Sequence, residues 1–563
     1  MTEEHTTLTT GGLAPESSGA ASPAAAGIPP VLDDAHIGDI RGALGTIRMH
    51  DTGERHGWRS RAMALLAIMG PGLIVMVGDN DAGAFATYGQ AGQNYGTRLL
   101  WTLLLLVPVL YVNQEMVLRL GAVTGVGHAR LILERFGKFW GAFSVIDLFI
   151  LNALTIITEF IGITLAAGYL GVPKVLAVAL AALVIIGAAF TGSFRRFERM
   201  AVGLCVGSLL LIPIYFLAHP AASQMARGFV TPVMPGGSGQ LATVMLLVIG
   251  IVGTTVAPWQ LFFQQSYVID KRITPRFIKY EKADLWIGIV VVILGAGAIM
   301  GFTAAAFAGH PAAGHFTDAA GIASGLQAHA GRVAGVLFAV ALLDASSIGA
   351  FAVSLSTAYA LGDVFGLKHS LHRGVKGAKG FYAIYGGVVL AAAAVVLIPG
   401  SPLGLLTEGV QALAGVLLPS AAVYLLLLCN DAEVLGPWVN GPRTNLFTGS
   451  VVAVLVALSV ILTASVLDPR LTARQILLIL GGCVGAAALG GAWFAVLRLR
   501  AGRLGAPVID RSDRENWRMP QLALLRRPSV PLGRKIAMSV LRSYLAVATV
   551  LVAVKIVQLA LGH

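Results

Sequence analysis

Continuous apolar runs, separated by short polar stretches, dominate the chain from about residue 61 onward. A helix needs about 20 predominantly apolar residues to cross a bilayer. On that measure the pattern predicts spans at 61–91, 97–120, 139–171, 174–191, 201–218, 241–268, 284–308, 332–362, 380–398, 404–429, 446–467, 475–499 and 536–560. The strict alternation of a membrane β-barrel is absent, so the runs read as helices. Two of them are interrupted by polar residues. The first reads Gly70-Pro71-Gly72-Leu73-Ile74-Val75-Met76-Val77-Gly78-Asp79-Asn80-Asp81-Ala82-Gly83-Ala84, and the second reads Gly250-Ile251-Val252-Gly253-Thr254-Thr255-Val256-Ala257-Pro258-Trp259-Gln260. Carboxylates at membrane depth are costly and mark function. Backbone unwinds at that depth only where it is buried in protein or lines a watery cavity.

The interrupted spans are the first and the sixth, five apart, so the second unit enters the membrane inverted. Broken helices in corresponding places of two halves point to the binding site of a secondary transporter. The expected fold class is therefore an all-α polytopic membrane protein with an inverted five-plus-five repeat. Residues 57–218 form the first repeat (spans 1–5) and 241–429 the second (spans 6–10), with about three peripheral helices in 446–563. Residues 1–56, polar and rich in Ala, Gly, Pro and Ser, read as a disordered cytoplasmic tail with no apolar core of a signal peptide.

Loop charges set the orientation. Basic residues cluster after the even-numbered spans: Arg119, Arg130, Arg135 and Lys138; Arg195, Arg196 and Arg199; Lys271, Arg272, Arg276, Lys279 and Lys282; Lys368, Arg373, Lys376 and Lys379; and the Arg-rich stretch of about 498–535. The alternate loops are poor in Lys and Arg, so the even loops and the N-terminus are expected to be cytoplasmic, in a cell (inner) membrane.

Composition agrees with this picture. Of 563 residues, 56% are hydrophobic and 12% charged, with a mean hydropathy of +0.78, which excludes an ordinary soluble domain. Most of the 68 glycines lie inside apolar runs, where they let helices approach closely. The net charge of +12 sits in loops, which argues against nucleic acid as a partner. Cys205, Cys429 and Cys483 have no metal-ligand spacing and read as buried thiols. No Walker-type loop and no nucleophile–base constellation appears, so neither an ATP-driven pump nor an enzyme is expected.

The residues around the breaks resemble the Nramp family of divalent-metal transporters. That family breaks its first helix at Asp-Pro-Gly-Asn and its sixth at Met-Pro-His. The matching residues here are Asp81-Ala82-Gly83-Ala84 and Ala257-Pro258-Trp259. Gly70-Pro71-Gly72 before the first break, Gly96 to Trp101 after it, Glu159-Phe160-Ile161-Gly162 in the third span, and Gln411 eight residues before Pro419 also match. The resemblance covers roughly residues 60–430 and implies the LeuT fold, metal transport by alternating access, no cofactor and a monomeric carrier in the lipid bilayer. The departures are as informative. The family's asparagine ligand is replaced by Ala84, its methionine by Ala257 and its sixth-helix histidine by Trp259. Of its third-helix acidic pair only Glu159 remains, with Ile156 at the other position. This pattern resembles the Nramp-related magnesium transporter (NRMT) branch.

A thioether favours softer transition metals, so its loss removes a preference for them over hard ions. Mg²⁺ dehydrates reluctantly and binds through one or two carboxylates with waters retained. The expected cargo is Mg²⁺, with Mn²⁺ as a second substrate. The candidate metal site comprises Asp81, Asp79, Asn80, Ala82, Ala84, Thr254, Ala257, Gln260 and Gln411. Asp81 is the ionisable residue matching a family ligand. Asp79 can instead line a vestibule. The carbonyls of Ala82 and Ala257 are expected to be freed where the helices unwind, and Gln260 and Gln264 can hold water or hydrogen-bond in the core. Asp147, Glu159 and Asp344 are intramembrane carboxylates whose role stays open between packing and pathway. His310, His315 and His329 read as solvated loop histidines. With Trp259 and Ile156 unable to exchange protons near neutral pH, transport without proton coupling is expected; a proton route through Asp147, Asp344 or the Asp79/Asp81 pair, with Glu159 still able to titrate, is the alternative. A small organic cation as cargo, or a non-transporting membrane sensor, are the alternatives.

Overall fold

The computed structural model describes residues 34–51, 53–235, 241–399, 403–467, 472–502 and 511–526, with scattered residues between 539 and 554. Among the described residues, ten helices are long and apolar enough to cross a membrane. The bent first pair, Trp58–Ile68 with Pro71–Val77, and the shorter Lys174–Phe190 complete the first twelve expected spans. The thirteenth, 536–560, lies almost wholly outside the described residues.

The spans are, in order, Trp58–Val77 continued by Ala82–Tyr95, Trp101–Thr124, Lys138–Tyr169, Lys174–Phe190, Phe194–Ala218, Leu241–Thr255 continued by Pro258–Asp270, Ile278–Phe307, Arg332–Phe365, Lys379–Val396, Leu403–Cys429, Pro442–Leu467 and Ala473–Gly502. Their packing follows the two-fold exchange of an inverted repeat. The third span runs along the eighth and the second meets the seventh. The first packs on the seventh as the sixth packs on the second. Burial separates core from periphery: 94% of the most apolar window of the sixth span is buried, against none of that in the twelfth. The sixth span thus stands at the centre, while Leu477, Leu478, Val484, Leu489 and Trp493 of the twelfth face outward.

The first span has two interruptions rather than the single break expected. Trp58–Ile68 and Pro71–Val77 meet at 56°. There Gly70 adopts φ 154°, a conformation open to glycine, and Pro71 starts the next helix. The N–H groups orphaned at that new helix start are met by Asp284 Oδ2 of the seventh span, which accepts from Gly70 N at 3.1 Å and Gly72 N at 2.7 Å. The second interruption, at 78–81, carries the polar cluster.

Part of the segment expected to be a disordered tail is ordered. Residues 34–47 are ordered as a turn of 3₁₀ helix, Asp34–His36, and a two-stranded hairpin pairing Ile40 with Ile47 and Arg41 with Thr46. Charged side chains anchor this segment: Ala43 N donates to the buried Glu198 Oε2 at 2.5 Å, and the half-buried Arg272 donates to the Ala35 carbonyl at 2.7 and 3.0 Å. Composition alone reads such a segment as disordered because its partners are distant in sequence. Residues 1–33 lie outside the described residues. At the same, Arg- and Lys-rich end, part of the basic loop 498–535 is a docked strap. Met519 N donates to the Val123 carbonyl at 3.2 Å, Arg135 Nη1 to the Arg526 carbonyl at 2.7 Å, and Trp438 Nε1 to the Arg514 carbonyl at 2.6 Å.

Candidate functional site

The first span leaves its helix at Gly78 and re-enters at Ala82. Asp81 is the N-cap of the second half, with extended backbone (φ −78°, ψ −170°), and its Oδ1 accepts from Ala84 N at 2.9 Å. An aspartate here satisfies an orphan donor and faces the positive end of the helix dipole. Among the described residues, the carbonyls of Gly78, Asp79 and Asn80 receive no backbone hydrogen bond. Ala82 lies in the first helical turn, so its carbonyl belongs to the helix. The expectation that Ala82 offers a freed carbonyl is therefore corrected: the freed carbonyls lie just upstream.

Asp79, Asn80 and Asp81 are all buried. Asp79 Oδ1 accepts from Gln260 Nε2 of the sixth span, and Gln260 Oε1 accepts from Gln114 Nε2 of the second at 2.7 Å. Asp79 Oδ2 has no partner. Asn80 turns the other way: its Nδ2 donates to the Val292 carbonyl of the seventh span at 3.3 Å, against Gly295. Its Oδ1 is unpartnered.

Two distant spans close on Asp81. Glu159 of the third span accepts from Ala82 N at 3.2 Å, and its carboxyl lies beside that of Asp81. Glu159 Oε1 is unpartnered. Gln411 of the tenth span lies over Gly83, and its Nε2 is unpartnered and buried. Three glycines make this approach possible. A Cβ on Gly83 would overlap the Gln411 amide, one on Gly162 would overlap Ala82 and Ser346, and one on Gly349 would press the Glu159 carboxyl.

The break in the sixth span is built differently. Val256 and Ala257 lie between helices, Ala257 with φ −88° and ψ 144°, and Pro258 opens the second half. Proline has no N–H, so the Thr254 carbonyl has no donor four residues on. The Thr254 hydroxyl is also unpartnered. The Ala257 carbonyl accepts the first bond of the new helix, from Gln260 N at 3.2 Å. Thr255 is held by the Tyr88 hydroxyl at 2.7 Å, and its carbonyl faces Gln260 Nε2 at 3.4 Å.

Trp259 is buried against Gly78 and Phe263, on the side of the break toward the basic end. On the other side a narrow cleft lined by Ala86, Thr158, Gly162, Phe316, Asp318 and Thr407 reaches Ala82, one residue from Asp81. The structure therefore brings together Asp79, Asp81, Gln260 and Gln411 with the two backbone breaks, and places Ala84 as the donor to Asp81. It sends the Asn80 amide toward the seventh span. Glu159, Gln114 and Tyr88 join the cluster without having been in the expected set. Glu159 stands in a recognisable Glu-Phe-Ile-Gly stretch, but the sequence gives no sign that it touches Asp81. Among the described residues, no group of three or more His, Cys, Asp or Glu side chains could hold a metal ion. The converging donors are instead a mixture of carboxylate, amide, hydroxyl and carbonyl oxygens.

The fold and the sequence both have relatives. The structure of the Eremococcus coleocola manganese transporter in complex with an aromatic bis-isothiourea compound superposes with a TM-score of 0.57 at 21% identity, covering 80% of this chain and 98% of that one. The divalent metal cation transporter MntH of Ralstonia nicotianae is 29% identical over 415 residues, 69% of this chain and 89% of its own length. MntH of Burkholderia ambifaria is 28% identical over 426 residues, 72% of this chain and 90% of its own length. The family model described as "Natural resistance-associated macrophage protein-like" matches residues 72–465, well over half of the sequence. The chain belongs to the Nramp family.

Proposed function

We propose that the protein is a multi-pass secondary transporter that moves a divalent metal cation through the paired breaks by alternating access, with Mg²⁺ as cargo and Mn²⁺ as a second substrate. Its relatives are named divalent metal cation and manganese transporters. The observation that carries the preference for a hard ion is the donor set at the first break. Asp81 and Asp79 are buried acids with Gln411 and Thr254 close to the same breaks, and the sixth break carries Ala257 where a sulfur ligand would stand. Oxygen donors suit Mg²⁺ and Mn²⁺. Asp81 supplies the charge that holds the ion. Asp79 supplies its unpartnered oxygen, and the upstream carbonyls and the Thr254 carbonyl complete a shell that leaves room for retained waters. The basic end faces the cytoplasm of a cell membrane and the carrier works as a monomer.

Uptake proceeds without a coupled proton. Glu159 has Asp81 as a neighbour, but one turn further toward the basic end the third span offers Ile156, and beyond it Thr155 and Asn152, whose amide is fixed on Thr357 at 3.0 Å. Between Glu159 and Asp147, twelve residues on, the third span carries no titratable side chain. The membrane potential contributes about 2.3 kcal/mol per elementary charge per 100 mV, and a divalent ion gains twice that. Proteoliposomes test the reading. Mg²⁺ and Mn²⁺ are expected to enter with the potential clamped by K⁺ and valinomycin, with no acidification reported by an internal pH dye, and tetraalkylammonium ions are expected to stay out. Entry of the organic cation in preference to Mg²⁺ overturns the cargo, and acidification that tracks Mg²⁺ overturns the uncoupled mechanism.

A further inference from the structure

A second polar cluster lies between the central break and the basic end, on the half-helix Pro258–Asp270. Gln260, Gln264, Tyr267 and Lys271 follow one another at spacings of four, three and four, so they share one face. Gln260 is already engaged with Asp79. Gln264, one turn below, is fully buried with its side chain against Glu281 of the seventh span, and apart from that neighbour its amide has no partner among the described residues. Glu281 is fully buried, and apart from Gln264 its carboxyl has no partner among the described residues. Asp284, one turn along the same face, uses Oδ2 to hold Gly70 and Gly72 and leaves Oδ1 unpartnered. The Tyr267 hydroxyl beside them is unpartnered as well.

The charges here balance only with two protons or a divalent cation added. Lys271 Nζ bonds to Glu198 Oε1 at 2.6 Å and to the Met69 carbonyl at 2.8 Å. Glu198, Glu281 and Asp284 together set three carboxylates against that single ammonium, which leaves two negative charges when all are ionised. Buried charge without compensation is expensive. Two protons would supply the missing charges, but one divalent cation supplies them and at the same time joins the carboxyl oxygens to the Gln264 amide oxygen. Two carboxylates and an amide, with the remaining positions taken by water, are a donor set that Mg²⁺ accepts.

We propose that Glu281, Asp284 and Gln264 form a second divalent-cation site on the path between the central break and the basic end, with Lys271 as its neighbouring counter-charge. The site rests on the transport reading above and deepens it. The ion leaving Asp81 passes along Gln260 and Gln264 and is received at Glu281. Because Asp284 and Lys271 also hold Gly70, Gly72 and Met69 at the 56° bend of the first span, occupancy of this site and the position of that half-helix are coupled.

The test counts bound ions in the purified full chain, with Mn²⁺ as the probe followed by electron paramagnetic resonance after equilibrium dialysis, and Mg²⁺ as competitor. The wild type is expected to hold two Mn²⁺ per chain, Asp81→Asn one, Glu281→Gln one, and the double variant none. A count that Glu281→Gln leaves unchanged overturns the second site, as does loss of both ions in Asp81→Asn. Failure of the transport reading looks different: there Asp81→Asn leaves the count unchanged. Gln264→Leu keeps every charge and guards against misfolding of the Glu281 variant. It is expected to weaken the second ion about tenfold and leave the first alone, and unaltered binding of both ions overturns the proposal.

Discussion

The two breaks occupy equivalent places in the two repeats and use opposite chemistry. The first interrupts its helix with Asp79-Asn80-Asp81, and a side chain, Asp81, closes the new helix end. The sixth has no charged residue at its break; Pro258 removes a donor, so the Thr254 carbonyl is freed by what the residue four positions on lacks. One break supplies charge and the other supplies backbone and hydroxyl oxygen. In the proposed site, assembled from both, a cation would be held by attraction on one side and by shape on the other. Selectivity can then change at the uncharged break without loss of binding, since the carboxylates stay in place.

The largest expected effect comes from removing the charged side of that comparison. Asp81→Ala should lower Mg²⁺ uptake in proteoliposomes by at least about a hundredfold, because a buried charge partner is lost. Asp81→Asn sharpens the assignment, since asparagine caps a helix as well as aspartate. If it transports like the wild type, the capping role is sufficient and the cation role is wrong.

Next in size is the uncharged side. Ala257→Met places a thioether at the sixth break, and the ratio of Cd²⁺ to Mg²⁺ uptake should rise about tenfold. An unchanged ratio would show that the sixth break does not set selectivity.

Glycine substitutions then separate the two sides structurally. Gly253 packs on the backbone of Gln411 and Gly415, so a methyl group there meets main chain that cannot swing aside. Gly253→Ala should lower thermal stability by about 1–3 kcal/mol, measured by the unfolding midpoint in detergent. Gly83→Ala meets the end of the flexible Gln411 side chain instead. It should leave stability nearly unchanged and raise the KM for Mg²⁺ about fivefold, since losing one amide contact is worth roughly 1 kcal/mol. Equal loss of stability in both variants would mean that Gln411 is a packing residue.

Much of this architecture was legible along the chain. Twelve spans, their breaks and the identity of the acid at the first break follow from hydropathy, Gly, Pro and the position of Asp81. These are local signals: apolar length demands a crossing, and proline or a capping aspartate acts on its own helix. Long-range partners were not legible in the same way. Nothing near Glu159 announces that it lies against Asp81, and nothing near Asn80 announces that its amide turns to Val292. The hairpin of residues 40–47 was missed because its anchor, Glu198, is 155 residues from Ala43.

The sequence by itself determined that this is a helical membrane protein with two inverted repeats, acids at one break and no sulfur at the other. Those properties follow from residue type and spacing within single helices. The tertiary structure alone decided which donors share a space. It put Gln411 over Gly83, joined Gln114 and Gln260 to Asp79, and set Glu281 and Gln264 beside each other with no further partner among the described residues. The physical reason is that a helix fixes neighbours three and four residues away, whereas contact between helices depends on how closely their faces can approach, and here glycine at Gly83, Gly162 and Gly349 sets that approach.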